Sequence, residues 1–198
     1  MNASPDPRPF FDRATGQLAA LIATVRPEQL EAATPCDEYD VRRLLSHIVG
    51  GTRRFQVVGE GGDGLAMPSF ADDVMDDAWS AAYEKVRPAT LDAWADDARL
   101  DAPVRVPWGD VPGRAALSGA VMEAVTHTWD LSEALGWPLE LDQELARFAL
   151  GVAHQALPTD RRGEGVPFGE VRNAPEGADT YGELAAWLGR APLAGTAG

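Results

Sequence analysis

Histidine is scarce in this chain: His47, His127 and His154 are the only three among 198 residues. Their placement is therefore informative. His127 follows Glu123 by four positions. On a helix that spacing projects both side chains from one face, close enough to meet. A carboxylate and an imidazole so placed can ligate one metal ion, as paired residues do in helical metal sites. His47 offers a second imidazole from a separate segment. Plain readings stand beside this one. Glu-x-x-x-His pairs also occur as surface hydrogen bonds or ion pairs, and His47 lies at the edge of an apolar stripe, where a histidine can be a satisfied packing residue. Spacing alone leaves both readings open. If the three converge, two neutral imidazoles and one carboxylate leave a divalent ion with net positive charge and open positions, as in catalytic zinc sites.

Other residues near these three have competing roles. Asp130, three residues beyond His127, can orient a ligand from behind, or it can cap or salt-bridge. Trp129 reads as core or pocket wall. Cys36 precedes Asp37 and Glu38, whose charges raise a thiol pKa, so it reads as a packing residue rather than a nucleophile or fourth ligand. His154, in FALGVAHQAL, reads as a hydrogen-bonded histidine rather than a ligand. Gly50 and Gly51 stand inside a helix, where glycine is costly. Either two helices approach closely there or space is left for a ligand.

The elements that must position these groups are helical. Phe11, Ala14, Leu18, Leu21, Ile22 and Val25 make one apolar stripe over about 10–25. Asp40 is a good N-cap for a second helix carrying Val41, Leu44, Leu45, Ile48, Val49 and Phe55 inward. Tyr39 and Leu44 fit a hydrophobic staple across that cap. The second helix fades in the turn-rich run from Gly59 to Gly64. A third helical region covers about 70–100, with a break expected at Pro88. VRVPWGDVPG reads as an extended segment. A fourth helix, about 114–135, carries Glu123 and His127 and stops at Gly136 and Pro138. A fifth runs over about 142–157, and a short one over 181–188. Two short echoes, Val106-Pro107-Trp108-Gly109 and Val166-Pro167-Phe168-Gly169, are either neighbouring extended pieces or chance. The architecture predicted is all-α: a four-helix bundle with a crossover connection over residues 1–157, and a C-terminal extension with short extended pieces over 158–198, packed on the bundle.

Composition narrows the function classes. The net charge of −14 repels phosphate backbones, so nucleic acid is not an expected partner. The basic pairs Arg42–Arg43 and Arg53–Arg54 read as solvated helix faces, or as a basic rim through which a substrate enters. A single cysteine forms no internal disulfide and fits a reducing compartment. The N-terminus lacks the basic and apolar regions of a signal peptide. No run approaches ~18 consecutive apolar residues, so no membrane span is expected. The expected setting is the cytoplasm, and a homodimer is allowed.

Three stretches carry a resemblance: TPCDEYDVRRLLSHIVGGTRRF, VPWGDVPGRAALSGAVMEAVTHTWDL and FGEVRNAPEGADTYGELAAWLGRAP. The Leu-x-x-His of the first, the Glu-x-x-x-His-x-Trp-Asp of the second and the Leu-Gly-Arg close of the third resemble the DinB-like, mycothiol-dependent maleylpyruvate isomerase superfamily of bacterial metal-binding bundles. The chain looks like an actinobacterial-type member without the additional C-terminal domain that isomerases of the family carry. The resemblance implies a DinB-like bundle and a divalent metal, usually zinc, held by His47, Glu123 and His127. It further implies mycothiol or another small thiol as co-substrate, reacting with a small electrophile. The reaction expected is thiol transfer or a thiol-assisted isomerisation. The other reading is a non-catalytic metal- or small-molecule-binding module. No catalytic acid or base beyond the ligands is identified.

Overall fold

The computed structural model describes residues 5–162 and 168–194. Seven helices dominate: α1 (Arg8–Ile22), α2 (Val41–Gly59), α3 (Trp79–Ala93), α4 (Asp97–Asp101), α5 (Gly113–Leu135), α6 (Gln143–Ala156) and α7 (Thr180–Trp187). The sheet among the described residues is one antiparallel hairpin, β1 (Pro103–Val106) with β2 (Gly109–Pro112), closed by Pro107 and Trp108. The predicted all-α architecture is the one found.

Four helices form the bundle around one apolar core. Around its perimeter α1 packs on α5, α5 on α2, α2 on α3 and α3 on α1. Consecutive helices α1 and α2 therefore stand across a diagonal, as do α3 and α5, and the chain between them crosses the bundle's end. Buried Leu18, Leu21, Leu44, Leu45, Val49, Leu117, Val121 and Val125 fill the centre, as the apolar stripes require. Helix α6 packs outside α5 and α1, and α7 packs on α6 and α5. Among the described residues no helix is long and apolar enough to cross a membrane.

The caps follow the sequence closely. Asp40 accepts the backbone N–H of Arg43 and starts α2, satisfying one of the free first-turn donors. Gly136 ends α5 at φ 73°, a left-handed conformation that glycine adopts without steric cost.

Two expectations need correction. Pro88 does not break α3 but sits inside it. It lies on the solvent face, as does Glu84 one turn earlier. The carbonyl that loses its N–H partner is thus solvated, and the ring meets no packed neighbour. The third helical region is also shorter than expected, because residues 70–78 form a loop. That loop lies on α2 through charge, which apolar periodicity does not report. Arg42 bonds Asp76 at 3.0 Å, Arg43 bonds Asp72 at 3.1 Å and Arg53 bonds Asp73 at 2.6 Å. The Arg43 guanidinium also lies 3.2 Å from the Phe70 ring centroid. The basic pairs are therefore neither simply solvated nor all free: three of the four fasten an acidic loop. Of the paired echoes, Val106 to Gly109 forms the hairpin tip, while Val166 and Pro167 lie outside the described residues.

Candidate metal centre

Helices α2 and α5 are neighbours, and each carries its candidate residues onto the shared face. The His47 Nε2 lies 3.2 Å from Glu123 Oε1, and the His127 Nε2 lies 3.8 Å from the same oxygen. The donor atoms of the three residues all fall within 4.8 Å of one another. Tetrahedral zinc with ligand bonds of ~2.0–2.1 Å separates its donors by roughly 3.3 Å. The two imidazole–carboxylate distances straddle that value, so small side-chain rotations convert this cluster into a coordination shell. The donor set, two nitrogens and one carboxylate oxygen, suits zinc and leaves a further position for an exogenous ligand. The residues present fit a divalent ion.

Groups behind the triad fix its orientation. Asp130 is fully buried, and its Oδ2 lies 3.0 Å from His127 Nδ1. A carboxylate there accepts a hydrogen bond from Nδ1–H and leaves Nε2 facing Glu123, the arrangement that would aim a ligating histidine. The other oxygen of Asp130 accepts from Arg190 Nε at 2.7 Å. Arg190 comes from the chain just after α7, so the C-terminal segment contributes to the support of His127. The sequence left Asp130 open between orienting a ligand and forming a salt bridge; the structure pairs it with both His127 and Arg190.

The charges are strongly coupled. Burial pushes Glu123 up, but hydrogen bonds from His127 and His47 outweigh it and hold the carboxyl well below its ordinary range. Burial pushes His127 down, yet Asp130 and Glu123 raise it above its ordinary value. For Asp130, burial is outweighed by Arg190 and His127, and the carboxyl is held low. The centre thus alternates basic and acidic groups, Arg190, Asp130, His127 and Glu123. Only the Glu123 side chain, 38% exposed, opens substantially toward solvent.

Aromatic rings flank His47. Tyr39 and Phe70 lie 5.5 and 5.6 Å from it between ring centroids, and the His127 ring meets it edge-on at 5.1 Å. Phe70 reaches this position because Gly50 lets the loop backbone approach. A Cβ on Gly50 would stand 2.7 Å from Ser69 O and 2.8 Å from Phe70 N. Gly51, by contrast, has nothing within 4 Å and lines a cavity. The two readings of this glycine pair divide between its members, with a loop backbone in place of a second helix at Gly50.

The cavity, about 80 Å³, runs between α1, α2, α3 and α5, with the triad in its wall. Phe11, Leu18, Ile48, Phe55 and Trp108 make it mostly apolar, and Arg54, Ser69, Thr52 and Tyr83 add polar atoms. Arg54 and Tyr83 carry no motif that marks them as site residues. The one usable signal was that Arg54 lies seven positions after His47, hence on the same helix face.

The remaining sequence candidates stand elsewhere. Cys36 is half-buried in the loop before α2, and burial pushes its thiol up despite the counteracting Arg190 charge. The direction is as expected, but burial rather than Asp37 and Glu38 is its first cause. Trp129 is core. His154 is exposed on α6, with its ring edge-on to Trp187 at 4.2 Å. That ring contact replaces the expected hydrogen bond.

Comparison with known proteins identifies relatives of the chain and of its fold. Two Mycobacterium tuberculosis proteins, "Uncharacterized protein MT0763" from strain CDC 1551 / Oshkosh and "Uncharacterized protein Rv0738" from strain ATCC 25618 / H37Rv, are each 32% identical over 185 residues. The match spans 93% of this chain and 98% of theirs. Among solved structures, the mycothiol-dependent maleylpyruvate isomerase superposes with a TM-score of 0.61 at 14% identity, covering 80% of this chain and 72% of that one. A histidine-to-alanine mutant of it superposes at 0.62 and 13% identity. That likeness establishes a shared fold. The model of the mycothiol maleylpyruvate isomerase N-terminal domain matches residues 11–132, more than half the chain and all three candidate ligands, and the chain belongs to that family.

Proposed function

We propose that His47, Glu123 and His127 hold one divalent ion, zinc by its donor set, and that the protein uses it for the chemistry of a small thiol of the mycothiol type. The observation that carries this reading is the convergence of the three donors in the wall of one cavity, with His127 aimed by Asp130. The name of the family and the titles of the solved relatives add mycothiol and an isomerase reaction as the nearest chemistry. The reaction is thiol transfer to an electrophile or thiol-assisted isomerisation. In this reading residues 1–157 are the metal-binding bundle and 158–198 an extension packed against it.

Held by His47, Glu123 and His127, a divalent ion would supply a Lewis acid that favours the more nucleophilic thiolate form of a thiol near neutral pH. The protein's own residues do the rest. His47 and His127 bind as neutral imidazoles, and Asp130 keeps the His127 proton on Nδ1. Tyr39 and Phe70 restrict His47 to one face. The apolar walls from Phe11, Leu18 and Phe55 exclude water and strengthen every charge interaction inside. The cavity's volume, about 80 Å³, is well below the ~150 Å³ that holds a benzene ring. A thiol therefore enters by its sulfur end, and the bulk of a mycothiol-sized molecule stays at the mouth beside Trp108.

Calorimetry with a small thiol tests the reading. Zinc-loaded protein binds it and metal-free protein does not, with affinity rising between about pH 6 and 8 as protons are released from thiol and histidine. Equal affinity in both forms removes the thiol mechanism and leaves a metal- or small-molecule-binding module.

A further inference from the structure

A second cavity, about 520 Å³, lies between the loop before α2 and the chain on either side of α7. It shares no lining residue with the cavity at the metal centre. Its volume falls within the range of roughly 300–1,000 Å³ typical of small-molecule sites. Its charged lining has both signs. Arg190 is the buried member, its side chain 10% exposed, with Nε on Asp130 at 2.7 Å. Asp130 is fully buried and does not line this cavity. A guanidinium carries five N–H donors. The four on Nη1 and Nη2 meet no acceptor among the described residues, and neither nitrogen is sealed off from the cavity that Arg190 lines. Arg172 is the second cation. Its Nε donates to Gly189 O at 2.7 Å, and it has no carboxylate partner among the described residues. Asp37, Glu38 and Glu170 line the same cavity and are exposed. The other lining residues are uncharged. Two cations and three carboxylates thus share one cavity, yet no ion pair joins any of these carboxylates to either arginine. The space between the opposite charges is left for something else to bridge.

We propose that this cavity is a second ligand site, for a small zwitterion: its carboxylate meets Arg190 Nη1 and Nη2 with Arg172 beside it, and its ammonium group faces Asp37, Glu38 and Glu170. The Asp130 contact holds the Arg190 guanidinium in place before the ligand arrives, so little side-chain entropy is lost on binding. The terminal nitrogens of an arginine suit a carboxylate, and such charge-assisted bonds are the strong ones. The rim carboxylates are solvated and add less, but they set the class of ligand. A simple anion is repelled by all three, and a simple cation meets two arginines. Only a molecule that carries both charges, some distance apart, matches the lining. The site is independent of the metal and of the thiol chemistry, since none of its residues is a candidate metal ligand.

The test is calorimetry on the metal-free full chain with 6-aminohexanoate and its two single-charge analogues, hexanoate and hexylamine. The zwitterion is expected to bind about tenfold or more tightly than hexylamine, the range of a hydrogen bond to a charged group. Its advantage over hexanoate is expected to be about two- to fivefold, the range of an exposed ion pair. Asp37→Asn with Glu38→Gln removes that smaller advantage. Arg190→Lys keeps a cation for Asp130 but offers no forked end to the ligand, and it weakens 6-aminohexanoate by about tenfold. Arg172→Gln, an exposed change that leaves the buried ion pair intact, weakens it severalfold and serves where Arg190→Lys does not fold. The proposal is overturned if none of the three compounds binds, or if hexanoate binds as tightly as 6-aminohexanoate. It is equally overturned if Arg172→Gln and the Asp37/Glu38 double variant both bind 6-aminohexanoate as wild type does.

Discussion

Removing the Arg190 guanidinium should affect both stability and the metal centre, and the structure sets the scale. The Arg190 and Asp130 side chains are 10% and 0% exposed and meet at 2.7 Å. Asp130 in turn holds His127. Arg190→Met keeps most of the buried stem but leaves the Asp130 carboxylate with His127 as its single remaining partner of the two seen here. Breaking one side of a buried ion pair costs about 3–5 kcal/mol. For a chain of this size each kcal/mol moves Tm by about 2–4 °C. The expected drop is therefore roughly 6–20 °C, read by circular dichroism on metal-free protein. The same substitution loosens the group that aims His127, so zinc affinity should fall by about 10-fold or more, in the range for outer-shell partners of a metal ligand. Competition with a chromophoric chelator measures it.

A double mutant makes this reasoning refutable. Asp130→Asn together with Arg190→Met removes both charges and leaves an amide oxygen to accept the His127 Nδ1 proton. The double mutant should be more stable than either single one, because neither charge remains buried alone. If Arg190→Met melts within about 2 °C of wild type, or if the two single costs simply add in the double mutant, the pair is not coupled and Arg190 is an ordinary tail contact.

Other consequences follow from the same geometry. His47→Ala, Glu123→Ala and His127→Ala should each cut zinc uptake sharply in elemental analysis, whereas His154→Ala should leave it unchanged; equal losses from His154 and His127 would refute the ligand set. Gly50→Ala should lower urea stability by about 1–3 kcal/mol because its Cβ meets the Ser69–Phe70 backbone, while Gly51→Ala should gain up to about 1 kcal/mol of helix stability and narrow the cavity. The pH dependence should change sign with metal. In metal-free protein, burial is outweighed by Asp130 and Glu123, and His127 sits above its ordinary value. Its protonated form thus contributes stability that is full below ~6.5 and lost as pH rises through the folded value. Zinc requires the neutral imidazole, so zinc affinity should increase over the same rise; melting curves with and without zinc from pH 6 to 9 that run parallel would contradict this.

What was legible in the sequence were features written in local spacing. The stripes of α1, α2 and α5 follow from i, i+3 and i+4 recurrence of apolar residues, and Asp40 and Gly136 mark ends because one side chain or one missing Cβ satisfies a local requirement. Glu123 and His127 were legible for the same reason, being one turn apart. Their meeting with His47 was not fixed by spacing, because it depends on α5 packing beside α2. The resemblance to a family supplied that partnership before the geometry did. The loop over 70–78 was misread because its attachment is ionic. Asp72, Asp73 and Asp76 find arginines 20 to 34 positions away, and no period in the sequence announces such pairs.

Those ionic contacts also connect the fold to the site. The acidic loop is drawn onto α2 by Arg42, Arg43 and Arg53, and Gly50 admits its backbone. The loop then delivers Phe70 against His47 and Ser69 against Arg54. On the opposite side the chain after α7 delivers Arg190 to Asp130, and through it constrains His127. Each imidazole is thus constrained with help from a segment outside its own helix: His47 directly by the loop that brings Phe70, and His127 through Asp130 of its own helix, which Arg190 holds. A four-helix bundle with the same three donors but without these two attachments would leave the rings freer to rotate, and a metal would then have to supply the ordering free energy itself. Here the contacts that orient the rings are already made in the metal-free fold. The three candidate ligands and their two supports therefore form a single structural unit, to which residues as far apart in the chain as Tyr39 and Arg190 contribute.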